Sequence, residues 1–291
     1  MTVVNFSRYR PQAIRLSLKA CKSLSAHVAV ANLGRCPPFY ASFHTTIHPA
    51  LHKLKTMPDP ESSFTSILKK LTAHPAPLLP PPNALYTSMT ASIASLQLHP
   101  TLEALLHLYN HDLPSAHFLV RHMQAAPAYE GMYIHGLLHR IEGDYSNCLA
   151  WYADVASSEV FQSFYGRSED ETTHSPAEEH LSFLPSSERQ SLSSPAKVED
   201  EKLPPQSAAR IFIRAIKALH SAPNKNDDYK SREASLEKVS AAEMQALTKW
   251  CVDRFGTEKL EDASGAWAVS DEHTREIGQK MVSGGEGYRK F

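Results

Sequence analysis

The amino-acid sequence predicts an all-α fold, an irregular helical bundle built on αα-hairpins with one disordered insertion. Apolar residues recur every three to four positions through much of the chain, as on one face of an α-helix, and no segment keeps the alternation typical of a half-buried strand. Of the 291 residues, 42% are hydrophobic and 21% are charged. This composition is typical of one globular domain with additional unstructured length.

Residues 1–57 form a basic leader that differs from the rest of the chain. They hold eight of the chain's 30 Lys and Arg residues and none of its 31 Asp and Glu residues. A basic, Ser-bearing segment without acidic residues is typical of a mitochondrial transit peptide, and Ile14, Leu18 and Cys21 would share the apolar face of its helix. Two alternatives stay open: translation begins at Met57, or the leader is a functional basic arm. The expected location is the mitochondrial matrix if the leader is translated, and the cytoplasm otherwise.

Residues 58–156 are predicted to form a helical hairpin region. The apolar spacing between Phe64 and Leu71 indicates a short amphipathic helix, which ends before a proline-rich connector at 75–82. Helical periodicity then continues almost without interruption. Five further helices are expected, at 84–97, 100–109, 113–124, 129–141 and 145–156.

Glycine and aspartate residues mark the boundaries between these helices. Gly143 suits the left-handed position that ends one helix, and Asp144 suits the N-cap of the next, so the two flanking helices should form a tight hairpin. Asp112, followed by Pro114, is expected to cap another helix in the same way. Residues 100–156 therefore predict two consecutive αα-hairpins.

Residues 157–206 are predicted to be a largely disordered acidic and Ser-rich surface insertion. They are rich in Ser, Glu and Pro and contain few bulky apolar residues, so they offer little surface to bury. Ser175 and Glu178 have the spacing of a capping box and would begin a short helix inside the insertion.

Closing helices are predicted within residues 207–275. Apolar residues at helical spacing return at the start of this region, and a second, stronger helix is expected to begin at a capping box formed by Ser240 and Glu243. Gly256 would end that helix. The Gly-rich residues 276–291 are predicted to be a flexible tail.

Residues 131–155 resemble a single tetratricopeptide-type hairpin, with Gly136 and Cys148 at small packing positions and Tyr152 at an aromatic one. The chain also carries the pattern H-x-[IL]-[LM]-H-R-x-E-x-D-[YF]-x-N-x-x-x-W-[YF], preceded by D-x-x-x-x-H. In both patterns it resembles a family of helical bacterial and fungal proteins over residues 105–156, and the resemblance implies a compact helical domain. The matching positions are Asp112, His117, His135, Leu137, Leu138, His139, Arg140, Glu142, Asp144, Tyr145, Asn147, Trp151 and Tyr152.

Histidines form the most distinctive chemical feature of the sequence. On a helix, His135, His139 and Glu142 fall at i, i+4 and i+7 and share one face. Two imidazoles and a carboxylate suit zinc or non-haem iron, with His117 as a fourth candidate ligand. A structural polar network and metal-free acid–base catalysis are the alternatives. The chain has 16 histidines, and six fall in the hairpin region: His107, His111, His117, His122, His135 and His139.

Other polar and aromatic residues near the turn are assigned ligand-binding or turn-fixing roles. Arg140 lies close in sequence to Glu142 and Asp144, so an ion pair that fixes the turn is favoured over binding of an anionic ligand. Asp112 is a possible partner for a histidine ring, and Trp151 is expected to be a core or groove aromatic. Cys148 should be buried and unreactive.

Several classes of protein are excluded by what the sequence lacks. It has no phosphate-binding Gly-rich loop, no hydrolase nucleophile elbow and no dinucleotide-binding fingerprint. Its apolar stretches are shorter than the roughly 20 residues of a transmembrane helix. The four cysteines are far apart and include no C-x-x-C, which argues against a disulfide scaffold and for a reducing compartment. The acidic body of the chain argues against a nucleic-acid partner.

The favoured expectation is a helical interaction or scaffold protein whose hairpin groove binds a protein partner or a small ligand. A small metal-dependent enzyme that uses the His135, His139 and Glu142 face is the first alternative. An accessory protein of a fungal biosynthetic pathway is the second.

Overall fold

The computed structural model describes residues 63–167, 174–194 and 204–268. These residues form α-helices and one 3-10 turn, and no β-strand occurs among them, which confirms the all-α prediction. The basic leader and the tail at 276–291 lie outside the described residues. The helices are α1 Phe64–Leu71, α2 Met89–Ser95, α3 Pro100–Tyr109, α4 Leu113–Val120, α5 Tyr129–Glu142, α6 Tyr145–Val155, α7 Glu159–Tyr165, α8 Pro176–His180, α9 Ser186–Ser193, α10 Ser207–His220 and α11 Asp227–Phe255.

Two helical hairpins form the centre of the fold. Helices α3 and α4 pack as one pair and α5 and α6 as a second, while α4 also packs on α5. The long α11 lies against α3, α7, α8 and α10 and so closes the bundle. Within the described part of the chain, no helix is both long and apolar enough to cross a membrane.

The α5–α6 hairpin forms as its boundary residues predict. Gly143 ends α5 with a φ of 83°, in the left-handed region, and the carboxylate of Asp144 accepts the backbone N–H of Asn147 at 3.1 Å to cap α6. A Cβ atom on Gly136 would lie 2.7 Å from Cδ1 of Tyr152. The absence of a side chain at Gly136 therefore lets the two helices approach closely.

The expectation of a largely disordered insertion at 157–206 is wrong for its described residues, which contain α7, α8 and α9. The average composition of residues 157–206 does not show why these helices form. Most of the apolar residues described in this region are buried, among them Phe161, Phe164 and Tyr165 of α7, whereas Phe183 is exposed. The predicted capping box of Ser175 and Glu178 is confirmed at the start of α8.

The predicted helix start at Ser240 and Glu243 is also wrong. Helix α11 begins 13 residues earlier at Asp227. There the side chain of Asn226 accepts the backbone N–H of Tyr229 at 2.9 Å. Both Ser240 and Glu243 lie inside the helix and are fully buried. Their side chains do not cap α11, and both contact Arg140 of α5. The predicted stop at Gly256, with a φ of 68°, is confirmed.

A buried polar centre joins α11 to three other helices, and we call it the Glu243 centre. Arg140 and Glu243 are both fully buried, with Nη2 and Oε2 3.2 Å apart. Nη2 of Arg140 also donates to Oγ of Ser240 at 3.0 Å, and that hydroxyl donates to the backbone oxygen of Pro77 at 3.1 Å. Three tyrosine hydroxyls donate to Oε1 of Glu243: Tyr133 at 3.0 Å, Tyr152 at 2.6 Å and Tyr165 at 2.8 Å.

The Glu243 centre corrects the role assigned to Arg140, which was expected to pair with a carboxylate at the hairpin turn. A buried carboxylate is tolerated when a cation and hydrogen-bond donors compensate its charge, and here one arginine and three phenols do so. Burial, followed by the charge of Glu243, raises the pKa of Tyr133, Tyr152 and Tyr165 well above the ordinary value. All three tyrosines therefore stay protonated and remain donors.

We expect Glu243→Gln to lower the free energy of unfolding by about 3–5 kcal/mol, because it leaves the buried charge of Arg140 without a counter-charge. Chemical denaturation measures the loss, and Glu258→Gln at an exposed position is the control. Arg140→Met combined with Glu243→Gln should lose less than the two single changes added together. Strict additivity would contradict direct coupling between the two residues.

We expect Gly136→Ala to destabilise the protein by about 1–3 kcal/mol, because the new methyl group overlaps the ring of Tyr152. Thermal or chemical unfolding measures the effect. Gly265→Ala is the matched control, since a Cβ atom there meets nothing within 4 Å and the backbone is not left-handed. Equal stability of the two variants would mean that α5 and α6 do not pack closely at Gly136.

Candidate metal centre

Three histidines from two helices converge on one side of α5, and we call them the histidine cluster: His117, His135 and His139. His117 lies in α4, and the other two lie one turn apart in α5. Each histidine has a ring nitrogen, Nδ1 or Nε2, that lies within 4.8 Å of a ring nitrogen of each of the other two. The Nε2 atoms of His117 and His135 are 3.3 Å apart. Packing of α4 on α5 thus brings together the three histidines singled out in the sequence.

The distance between His117 and His135 fits a tetrahedral metal site. Zinc–nitrogen bonds of about 2.05 Å place two ligands of a tetrahedron about 3.3 Å apart. One pair of nitrogens therefore already has the required separation. The third nitrogen lies within 4.8 Å of these two.

Glu142 lies against the outer side of the histidine rings. Its Oε2 atom is 3.1 Å from Nδ1 of His139, and its Oε1 atom is 4.0 Å from Nδ1 of His117. A carboxylate that accepts Nδ1–H fixes the ring so that Nε2 faces a metal. The geometry thus favours Glu142 as a positioning residue, whereas the sequence suggested it as a direct ligand.

Aromatic packing fixes the orientation of His135. Its ring stacks on Trp151 of α6 with centroids 4.5 Å apart and on His139 with centroids 4.8 Å apart. The ring of His117 meets both histidine rings edge-on. Trp151, expected to be a core or groove aromatic, is thus the inner wall of the histidine cluster.

The cluster is closed on one side and open on the other. His135 is 3% exposed, while the side chains of His117 and Glu142 are 34% and 32% exposed. Burial, followed by the nearby His139, His117 and Arg121, lowers the pKa of His135 to about 3. Burial also lowers the pKa of His117, with smaller contributions from His139 and Arg121 in the same direction and an opposing one from Glu142. Both rings are therefore neutral near pH 7, the state that binds metals.

The remaining candidate residues do not join the cluster. Asp112 caps α4, accepts the hydroxyl of Thr90 at 2.6 Å and lies 3.3 Å from His107. Asp144 caps α6, and Arg140 belongs to the Glu243 centre. Cys148 is fully buried and burial raises its pKa well above the ordinary value, as expected for an unreactive thiol.

Two residues near the cluster were missed in the sequence. Arg121 lies one helical turn after His117, and Phe118 follows His117 directly. The position of Arg121 on α4 was a usable signal, since residues i and i+4 of a helix are neighbours, whereas Phe118 at i+1 lies on another face of the helix. Neither arginine nor phenylalanine ligates metals, so a pattern of metal-ligating residue types does not point to them.

Comparisons with models of protein families, with curated protein sequences and with solved structures give no match for this chain.

In metal-free protein, we expect stability to fall as the pH is lowered from 6.5 towards 3. The unfolded chain protonates His135 near 6.5, whereas the folded chain resists protonation until about pH 3, so acid favours the unfolded state. The contribution of this one residue is at most about 1.4 kcal/mol per pH unit. Denaturation curves at several pH values measure it, and His135→Asn should flatten the dependence. An unchanged slope in the variant would contradict the shifted pKa.

Proposed function

We propose that this protein binds one divalent transition-metal ion, zinc in the first place, through the imidazoles of the histidine cluster. The observation that carries the proposal is the convergence of three ring nitrogens from α4 and α5 to within 4.8 Å of one another. The neutral state of His135 and His117 supports it, because a metal does not have to displace protons from these two rings near pH 7.

Three imidazoles with an open fourth position are the ligand set of catalytic zinc sites, in which a bound water molecule becomes a nucleophile near pH 7. The side chain of His117 is 34% exposed, so water can reach this side of the cluster. Non-haem iron sites use two histidines and a ligating carboxylate, whereas Glu142 here faces Nδ1 of the rings. We therefore assign the protein to metal-dependent enzymes of the hydrolytic type.

The alternative of a structural histidine network explains the cluster less well. Buried polar atoms in such networks normally have hydrogen-bond partners. Nδ1 of His135 is buried and has none within the described residues, and its Nε2 contacts only another imidazole of the cluster. A hydrogen bond between the two rings accounts for this 3.3 Å contact as well as a shared metal ion does, and the metal adds a reason for the third ring nitrogen to lie within 4.8 Å of both.

The interaction or scaffold function needs an open groove along the α5–α6 hairpin. Eleven of the 14 residues of α5 are buried, so this helix offers little free surface to a partner. That function, like a role in a fungal biosynthetic pathway, stays a prediction from the sequence. The geometry favours the metal centre over both.

We expect the full-length protein, purified without a histidine tag, to bind one equivalent of Zn²⁺ or Co²⁺. Elemental analysis gives the stoichiometry, and the visible bands of Co²⁺ report tetrahedral coordination. His117→Ala, His135→Ala and His139→Ala should each lose stoichiometric binding, whereas His180→Ala at an exposed position should keep it. Absence of metal from the wild-type protein, or equal loss in the His180 variant, would refute the site.

Glu142→Gln separates a positioning role from a ligand role. If Glu142 orients His139, the variant should bind metal at full stoichiometry with an affinity lowered about 10- to 100-fold. Competition with a chelator of known affinity measures the change. Circular dichroism of each variant checks that the helices remain folded. Loss of stoichiometric binding in Glu142→Gln would make Glu142 a direct ligand.

A further inference from the structure

Two arginines of α10 bind the backbone carbonyls at the end of α9. Nε of Arg210 donates to the carbonyl oxygen of Ser193 at 3.0 Å, and Nη1 of Arg214 donates to that of Ser194 at 2.5 Å. Burial, followed by the charge of Arg214, lowers the pKa of Arg210, as expected for two guanidiniums that lie close together. Two positive charges therefore converge on consecutive residues at the end of one helix.

The guanidinium of Arg210 has a donor left on the edge that faces Ser193. Its Nη1 atom donates to the carbonyl oxygens of Pro204 at 2.6 Å and Pro205 at 3.1 Å. Its Nη2 atom has no hydrogen bond, and its charge no carboxylate partner, among residues 63–167, 174–194 and 204–268. Nε and Nη2 share the edge of a guanidinium that binds phosphates and carboxylates through two parallel hydrogen bonds. This edge is thus only half used.

Two Ser-Pro dipeptides, the signal of proline-directed protein kinases, occur in the chain at Ser175 and Ser194. Ser175 is 1% exposed, and its hydroxyl caps α8 by accepting the backbone N–H of Glu178 at 3.2 Å. Ser194 is exposed, and its φ of −56° and ψ of 141° are close to the polyproline II conformation that suits a residue before proline. The two dipeptides therefore differ in access, and Ser194 is the one that a kinase can reach.

We infer that Ser194 is a phosphorylation site whose phosphate binds Arg210 and Arg214. In the active site of a proline-directed kinase, Oγ of Ser194 bonds to the γ-phosphorus of ATP as the bond to ADP breaks, and the hydroxyl proton passes to the catalytic aspartate of the kinase. Oγ and the carbonyl oxygen of one serine are at most about 5 Å apart, so the phosphate forms close to the atom that Arg214 already contacts. The inference does not depend on the metal centre.

The charges at this place favour the phosphate. The carbonyl end of a helix carries about half a negative charge, which opposes an anion at the end of α9. The guanidiniums of Arg210 and Arg214 carry two full positive charges and outweigh it. A phosphate bonded to both would fasten α9 to α10.

Mass spectrometry of the full-length protein after incubation with a cyclin-dependent kinase and ATP tests the modification. We expect phosphate on Ser194 and none on Ser175, because the Ser175 hydroxyl is buried in a helix cap. Ser194→Ala should abolish the transfer, and Ser193→Ala should leave it unchanged. Transfer to Ser175, or no transfer to Ser194, would overturn the assignment.

Phosphorus NMR of the full-length protein carrying phosphoserine at position 194 tests the role of the arginines. The second pKa of phosphoserine is about 6, and we expect a lower value here because two guanidiniums favour the dianion. Arg210→Gln and Arg214→Gln should each return the pKa towards 6. Arg121→Gln, which removes an exposed arginine at the end of α4, is the matched control and should leave it unchanged.

Thermal unfolding gives an independent measure of the same contact. Phosphorylation should raise the Tm of the wild-type protein by about 2–6 °C, and by less in Arg210→Gln, with each variant compared with its own unphosphorylated form. Arg210→Lys keeps the charge but not the paired donors and serves if Arg210→Gln does not fold. An ordinary phosphate pKa, or equal effects in the wild type and both arginine variants, would overturn binding of the phosphate by Arg210 and Arg214.

Discussion

The fold depends on one buried ion pair, between Arg140 of α5 and Glu243 of α11. Each partner would be strongly destabilising alone in the interior, so folding favours the arrangement in which the helices that carry them meet at this point. The three tyrosines bonded to the same carboxylate add α6 and α7 to the contact. Through Ser240, the proline-rich connector at Pro77 is tied to it as well. A single polar contact thus fixes the relative positions of four helices and one loop.

Helix α5 transmits this constraint to the histidine cluster. Tyr133 and Arg140 are seven residues apart and share one face, whereas His135 lies about 200° around the helix from Tyr133. The Glu243 centre therefore fixes the rotation of α5 from one side and sets the direction of the histidines on the other. The stacking of His135 on Trp151 and the close approach at Gly136 restrict the ring further. A ring held in this way would lose little side-chain freedom on binding the proposed metal ion.

Local features of the fold were predictable from the sequence, because they follow from neighbouring residues. Gly143, Asp144 and Asp112 determine helix boundaries within four positions of themselves, and His135 and His139 share a face by helical spacing alone. The partner of Arg140 was not predictable, since Glu243 is about 100 residues away and nothing local distinguishes it from a capping residue. The helices of the insertion were missed because averaged composition conceals a few inward-pointing aromatic residues.

The Arg140–Glu243 pair also has an evolutionary consequence. A substitution of either residue alone leaves a buried charge, whereas replacement of both by neutral residues removes the problem. Intermediate sequences with only one of the two are thus poorly stable, and drift at either position is blocked unless the other changes at nearly the same time. Any descendant of this fold should carry both residues or neither. In a lineage that has lost the pair, the three tyrosine hydroxyls no longer have the carboxylate of Glu243 as their hydrogen-bond acceptor.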